Sequence, residues 1–214
     1  MIKFNVSADL FRAASHTVSN EETRYYLGGV HIEPHPQGGA LLVSTDGHRM
    51  TVLWDAAGSI SGGTIIIRPS KELMTAAKNK RGENRRIVMA EADTVSVELD
   101  DAKIASFHGL AIDGTFPDWS KVVPTGPFVP TKAGFNARYL GSFDKVRAEL
   151  PENDRNGNGI TILGSSEWDP HLVRFDGLDY AFGLIMPLRF GRGHVADRLP
   201  DFMAALGERF KDAA

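Results

Sequence analysis

One unit recurs three times along the chain, and this repeat limits the possible fold more than any other feature of the sequence. Each copy reads as a short apolar strand, a cap residue, an amphipathic helix of about three turns, then three alternating strands. In the first, residues 2–6 form a strand and Ser7 caps a helix with Leu10, Phe11, Ala14 and Val18 on its apolar side. Strands follow at 28–34, 40–44 and 50–55, with Gly38-Gly39 as a hairpin turn. The second copy opens at 64–68, starts its helix at Pro69 and Ser70, turns Leu73, Met74 and Ala77 inward, and returns through 86–90, 94–99 and 103–109. The third has a strand at 133–136, a helix carrying Tyr139, Leu140, Phe143, Val146 and Leu150, and strands at 159–163, 171–175 and 180–185.

Helices on one face of a sheet bury that face and leave the other wet, which favours an α+β fold of antiparallel sheets outside and helices on one side. Residues 1–60 and 63–124 then make one domain of two units, 133–190 the third unit, and 191–214 a tail. Pro124, Gly126, Pro127 and Pro130 interrupt the pattern and mark 125–132 as the linker. Open strand edges at the ends of such units predict association between subunits. In the tail, Leu199, Phe202, Met203, Leu206 and Phe210 fall at helical spacing, giving an amphipathic helix over about 199–211. Its apolar stripe could cover its own sheet, a subunit contact or a binding groove.

With no cysteine among 214 residues, disulfides, thiolate catalysis and cysteine-ligated metals are excluded. The seven histidines show no metal-binding spacing, so no metal site is expected. No apolar run reaches the length of a membrane span, and the expected location is the cytoplasm. The formal charge is −3, but residues 71–86 carry +4 against −7 on the remainder, a basic element on an acidic body. Such a run also fits an ordinary solvated face.

Three segments resemble the bacterial DNA sliding clamp, the beta subunit of the replicative polymerase. The first is Glu22-Thr23-Arg24-Tyr25-Tyr26-Leu27-Gly28-Gly29-Val30 with Ser44-Thr45-Asp46-Gly47-His48-Arg49-Met50. The second is Ile112-Asp113-Gly114-Thr115-Phe116-Pro117-Asp118-Trp119 leading to Lys121-Val122-Val123-Pro124. The third is Gly134-Phe135-Asn136 with Tyr139-Leu140, then Ile185-Met186-Pro187-Leu188-Arg189. Residues 1–124 resemble the family's middle domain and 128–190 the latter half of its last one; the rest of the family pattern is missing.

The resemblance implies a noncatalytic processivity factor with a pocket for short motifs of polymerases and repair proteins. That pocket would use Thr45, Gly47, His48, Arg49 and Met50, then Pro117, Lys121 and Val122, then Leu184, Met186, Pro187, Leu188 and Arg189. Apolar walls, rigid prolines and a flexible methionine suit an aliphatic or aromatic anchor. Ser120 stands where the family commonly has a basic residue, and Lys121 where it has Arg; lysine cannot offer a bidentate fork.

The family's helices face duplex DNA, which here implies Arg12, His16, Lys71, Lys78, Lys80, Arg81, Arg138, Lys145 and Arg147 as phosphate contacts that read no sequence. A homo-oligomeric ring is implied, with four chains if it holds twelve units, and a clamp loader fits as a further partner. No cofactor is implied. The rival reading is a module that captures clamp-binding peptides, or regulates a host clamp, without encircling DNA. A hydrolase based on Asp46 and His48 lacks a nucleophile and oxyanion arrangement, and a turn with Asp-Gly explains that pair.

Overall fold

Each helix begins at a side chain that accepts a backbone N–H from its first turn. Leu10 donates to Ser7 Oγ at 3.4 Å, Leu73 to Ser70 Oγ at 3.2 Å and Arg138 to Asn136 Oδ1 at 2.9 Å. These caps open α1 (Ala8–Ser15), α2 (Lys71–Ala76) and α3 (Ala137–Glu149) in a computed structural model that describes residues 1–80, 82–131, 133–151 and 159–189. Only α3 reaches the expected three turns. The last carbonyls of α2 are taken by guanidinium groups instead, Met74 O by Arg12 and Ala76 O by Arg85 at 2.5 Å, so their demand is met without another turn.

The first unit supplies β1 (Lys3–Ser7), β2 (Val30–Pro34), β3 (Ala40–Thr45), β4 (Arg49–Asp55) and the short β5 (Ser59–Ser61). The second supplies β6 (Ile65–Ile67), β7 (Arg86–Glu91), β8 (Thr94–Leu99) and β9 (Ala102–His108). The third supplies β10 (Val129–Pro130), β11 (Ile160–Gly164), β12 (His171–Phe175) and β13 (Ala181–Ile185). All pairing between these strands is antiparallel, as expected for this α+β class.

Units one and two exchange their first strands: β1 lies on β7 and β6 on β2. This gives a five-stranded sheet in the order β5-β1-β7-β8-β9. The third unit joins edge to edge with the first, β13 pairing with β4, and builds an eight-stranded sheet in the order β10-β11-β12-β13-β4-β3-β2-β6. The strand expected at 133–136 does not form, and a two-residue bridge at Val129–Pro130 occupies part of the edge. Both β1 and β6 are strands because the other unit offers an edge, and among the described residues no second unit offers one to 133–136.

The helices pack on one side of the sheets. Leu10, Phe11 and Ala14 of α1, Leu73 of α2 and Phe143 and Val146 of α3 share a core with Phe4, Val6, Ile32, Leu42, Leu53, Ile87, Val97, Val173 and Ile185. The other side is not simply wet, a correction to the expectation of one buried face. Val43, Met50, Val52, Ile66 and Leu184 form a second cluster there with Leu27, Ile112 and Phe116. Two connecting segments, around 22–27 and 112–119, cover that part of the outer face, which explains why β3 is apolar at successive positions rather than alternating. No described helix is long and apolar enough to cross a membrane.

Candidate functional site

The β4–β13 junction brings residues of the first and third units together on this outer face. Leu184 pairs with Met50 and Ile185 with Arg49, and one residue further Met186 N–H donates to His48 O at 2.8 Å. The turn before β4 is shaped by Asp46, whose Oδ1 accepts the His48 and Arg49 N–H groups at 2.9 and 3.1 Å and whose Oδ2 accepts Arg49 Nε at 3.0 Å. Asp46 is thereby a turn acceptor, and His48 stacks on Tyr139 instead of completing a dyad. Gly47 sits at φ +88°, a backbone conformation that favours glycine; a Cβ there would meet only the mobile end of Arg24, 2.5 Å from Nη1, so the backbone rather than space makes the demand.

The third wall is the 116–119 segment. Trp119 Nε1 donates to Glu33 Oε1 at 3.1 Å, and His31 Nε2 lies 3.0 Å from Glu33 Oε2. The His31 hydrogen bond, with that from Trp119, holds the Glu33 carboxyl below its usual range against the opposing effect of burial. Phe116 stacks on the His31 ring at 4.6 Å with planes 3° apart. These contacts fasten the segment to β2.

Between the walls lies a cleft of about 280 Å³. Of the sequence-expected pocket residues, Thr45, Gly47, His48, Arg49, Met50, Pro117, Val122, Leu184 and Met186 line it. Lys121, Pro187, Leu188 and Arg189 are outside its lining. Lys121 extends into solvent, paired with Asp118 at 3.1 Å, and the Leu188 N–H is bound to Gly134 O at 2.8 Å, which steers that segment away. Hydrogen bonding from Ser120, then from Lys121, lowers the exposed Asp118 carboxyl. Arg24, Tyr26 and Pro170 also line the cleft and were not singled out from the sequence. Arg24 and Tyr26 lie in the first segment that carries the resemblance, so that motif was the available signal; nothing local marks Pro170.

A family model described as DNA polymerase III beta subunit, central domain, matches residues 2–118. The chain belongs to the DNA polymerase III beta subunit family. The beta sliding clamp of Caulobacter vibrioides is 32% identical over 117 residues, which cover 50% of this chain and 29% of that protein. The Escherichia coli K12 beta sliding clamp is 30% identical over 129 residues, covering 58% and 33%. The chain therefore spans about a third of the length of these relatives. The clamp fold extends over more of it. A sliding clamp from Bartonella birtlesii, bound to griselimycin, superposes with a TM-score of 0.64 at 21% identity over 88% of this chain and 66% of that one. The Thermotoga maritima beta subunit gives 0.60 at 13% identity over 89% and 66%.

The cations expected to face DNA divide into two groups in this clamp-family chain. Lys71, Lys78, Lys80, Arg138 and Lys145 are exposed on or beside α2 and α3. Arg12, His16 and Arg147 instead face partners within the chain or are buried. Arg12 donates to Glu149 through Nε at 2.9 Å and Nη2 at 2.7 Å and also reaches the Met74 carbonyl, so it ties all three helices together. His16 Nε2 stands 3.5 Å from Glu149 Oε1. His16 and the Arg12 fork together hold the Glu149 carboxyl down at about 2; the fork has the shorter contacts. Arg147 is only 3% exposed. Arg81 and the expected helix at 199–211 lie outside the described residues. Among the described residues, no group of three or more His, Cys, Asp or Glu could hold a metal.

Proposed function

We propose that this chain is a noncatalytic DNA sliding clamp: copies encircle duplex DNA, and the cleft between the first and third units tethers a polymerase or repair enzyme by a short peptide. The observation that carries this reading is the cleft itself, assembled from segments far apart in a chain of the beta subunit family. Its apolar lining of Met50, Leu184 and Met186, together with Arg24, His48 and Arg49, suits an aliphatic or aromatic anchor whose backbone needs a few polar partners. Exposed Lys71, Lys78, Lys80, Arg138 and Lys145 supply phosphate contacts without sequence readout, as sliding requires. Tethering makes polymerase dissociation intramolecular and quickly reversed. The units are those set out above: a two-unit domain over 1–124, the 125–132 linker and a third unit over 133–190.

Primer extension by a host replicative polymerase, under conditions where each polymerase binds once, tests the reading. Added chain lengthens the products, and Met186→Ala chain does so less. A module that captures the peptide without encircling DNA would shorten products by competition, which is the outcome that rejects the clamp reading in favour of its rival.

A further inference from the structure

Units one and two form a complete pair, because each covers the other's sheet edge. In both cases the visiting strand lies on the start of the strand it covers: β1 pairs with Arg86, Ile87, Val88 and Met89 of β7, and β6 with Val30, His31 and Ile32 of β2. The third unit has the same parts, but among the described residues no other unit exchanges a strand with it. Its β10 pairs only with Leu163 and Gly164, at the far end of β11. The start of β11, Ile160 to Ile162, has no strand beside it on that edge among the described residues, and Ile160 remains 36% exposed.

The segment that would do the visiting is also present and unused. In unit two, Ile112 N–H donates to Ile66 O at 2.8 Å, so the exit from the last strand fastens one side of β6 while the other side pairs with β2. In unit three, Leu188 N–H donates to Gly134 O at 2.8 Å. Gly134 thus occupies the position of Ile66, just before a helix cap, held on one side by its own unit. On its other side, where β6 has β2, residues 133–136 have no strand among the described residues.

We propose that a second copy of this chain completes the third unit, residues 133–136 of each copy pairing antiparallel with the start of β11 in the other about a twofold axis. The arrangement repeats between chains the exchange seen within one, and it is isologous, each surface being its own complement. It supplies a strand partner to the edge of each segment that has none among the described residues, and β10 does not obstruct it because it covers the opposite end of β11. The inference goes beyond the clamp reading and stands whether or not DNA is encircled.

The register of β6 on β2, carried over, sets Gly134 opposite Thr161 and Phe135 opposite Ile160 of the partner copy. The chain has no cysteine, so a disulfide formed between two different single-cysteine variants must join two chains. Full-length Gly134→Cys mixed with Thr161→Cys, and separately Phe135→Cys mixed with Ile160→Cys, are oxidised and compared with each variant alone. Adjacent antiparallel pairs alternate in spacing, so testing both covers the geometry a disulfide needs. The expected result is a linked dimer enriched several-fold in at least one mixture, and light scattering of the unmodified chain at twice the chain mass or an even multiple of it. A single-chain mass from low to high micromolar concentration, or a dimer whose mixtures crosslink no more than the single variants, overturns the proposal.

Discussion

The rings of His48 and Tyr139 are stacked, with centroids 5.4 Å apart and planes 13° from parallel, and the Arg49 guanidinium lies 5.1 Å from the same Tyr139 ring. The first residues of α3 in the third unit therefore brace the β3–β4 turn of the first. Helix and cleft are mechanically joined, since that turn supplies Gly47, His48 and Arg49 to the cleft wall.

Removing the brace should loosen the wall without dismantling either unit. Aromatic pairs are worth roughly 0.5–1.5 kcal/mol beyond their buried area. Tyr139→Ala is thus expected to weaken a polymerase-derived peptide by roughly twofold to tenfold, and Tyr139→Phe to leave it nearly unchanged. Fluorescence anisotropy with a labelled peptide measures both; equal losses in the two variants would contradict a stacking role.

Met186 and Leu188 stand two residues apart in sequence but differ in position. Met186 lines the cleft, whereas Leu188 lies outside it with its N–H fastened to Gly134. Met186→Ala should cost about 1–2 kcal/mol of peptide binding, roughly tenfold. Leu188→Ala should cost little. The same anisotropy titration distinguishes them, and a larger loss at Leu188 would move the binding surface out along the exit strand.

Glu149 makes the packing of α1 against α3 sensitive to acid. Its folded value of about 2 lies below the ordinary 4.5, so the stabilisation is complete above about 4.5 and is lost as pH falls toward 2. Allowing for partial exposure and solvent screening, the contribution is on the order of 1–3 kcal/mol. Glu149→Gln should therefore destabilise the chain at neutral pH and flatten the stability profile between those values, as read by denaturant melts. A profile unchanged in that window would contradict the assignment.

The exposed and buried cations should part company in a salt titration. Lys71→Ala and Lys78→Ala are each expected to reduce the logarithmic salt slope of DNA binding by about 1. Arg147→Ala should lower thermal stability, through a buried side chain, with the slope intact. A fall in slope at Arg147 would mean that the buried state is not the one that meets DNA.

Much of the fold can be read from local chemistry. Ser7 and Ser70 open their helices in both sequence and structure, whereas Asn136, read from the sequence as the end of a strand, is a cap in the structure; the apolar periods locate the helices and most strands because each depends on neighbours only a few residues away. What eluded the sequence depends on distant partners. The exchange of β1 and β6, the absence of a strand at 133–136, and the capture of Arg12 by Glu149 all turn on which surfaces meet, and no short pattern encodes that. The cleft is intermediate: its shape needed the tertiary junction, while most of its residues followed from motif resemblance. Arg147 marks the limit of reading charge from a helix, since the face it occupies is set by the packing of α3.

The most direct test of the encircling clamp is retention on a nicked circular duplex, after loading and a wash at moderate salt, followed by cutting the circle once. The chain is expected to stay on the circle and to slide off when it is linearised. Release from the circle at the same rate as from linear DNA would contradict encirclement.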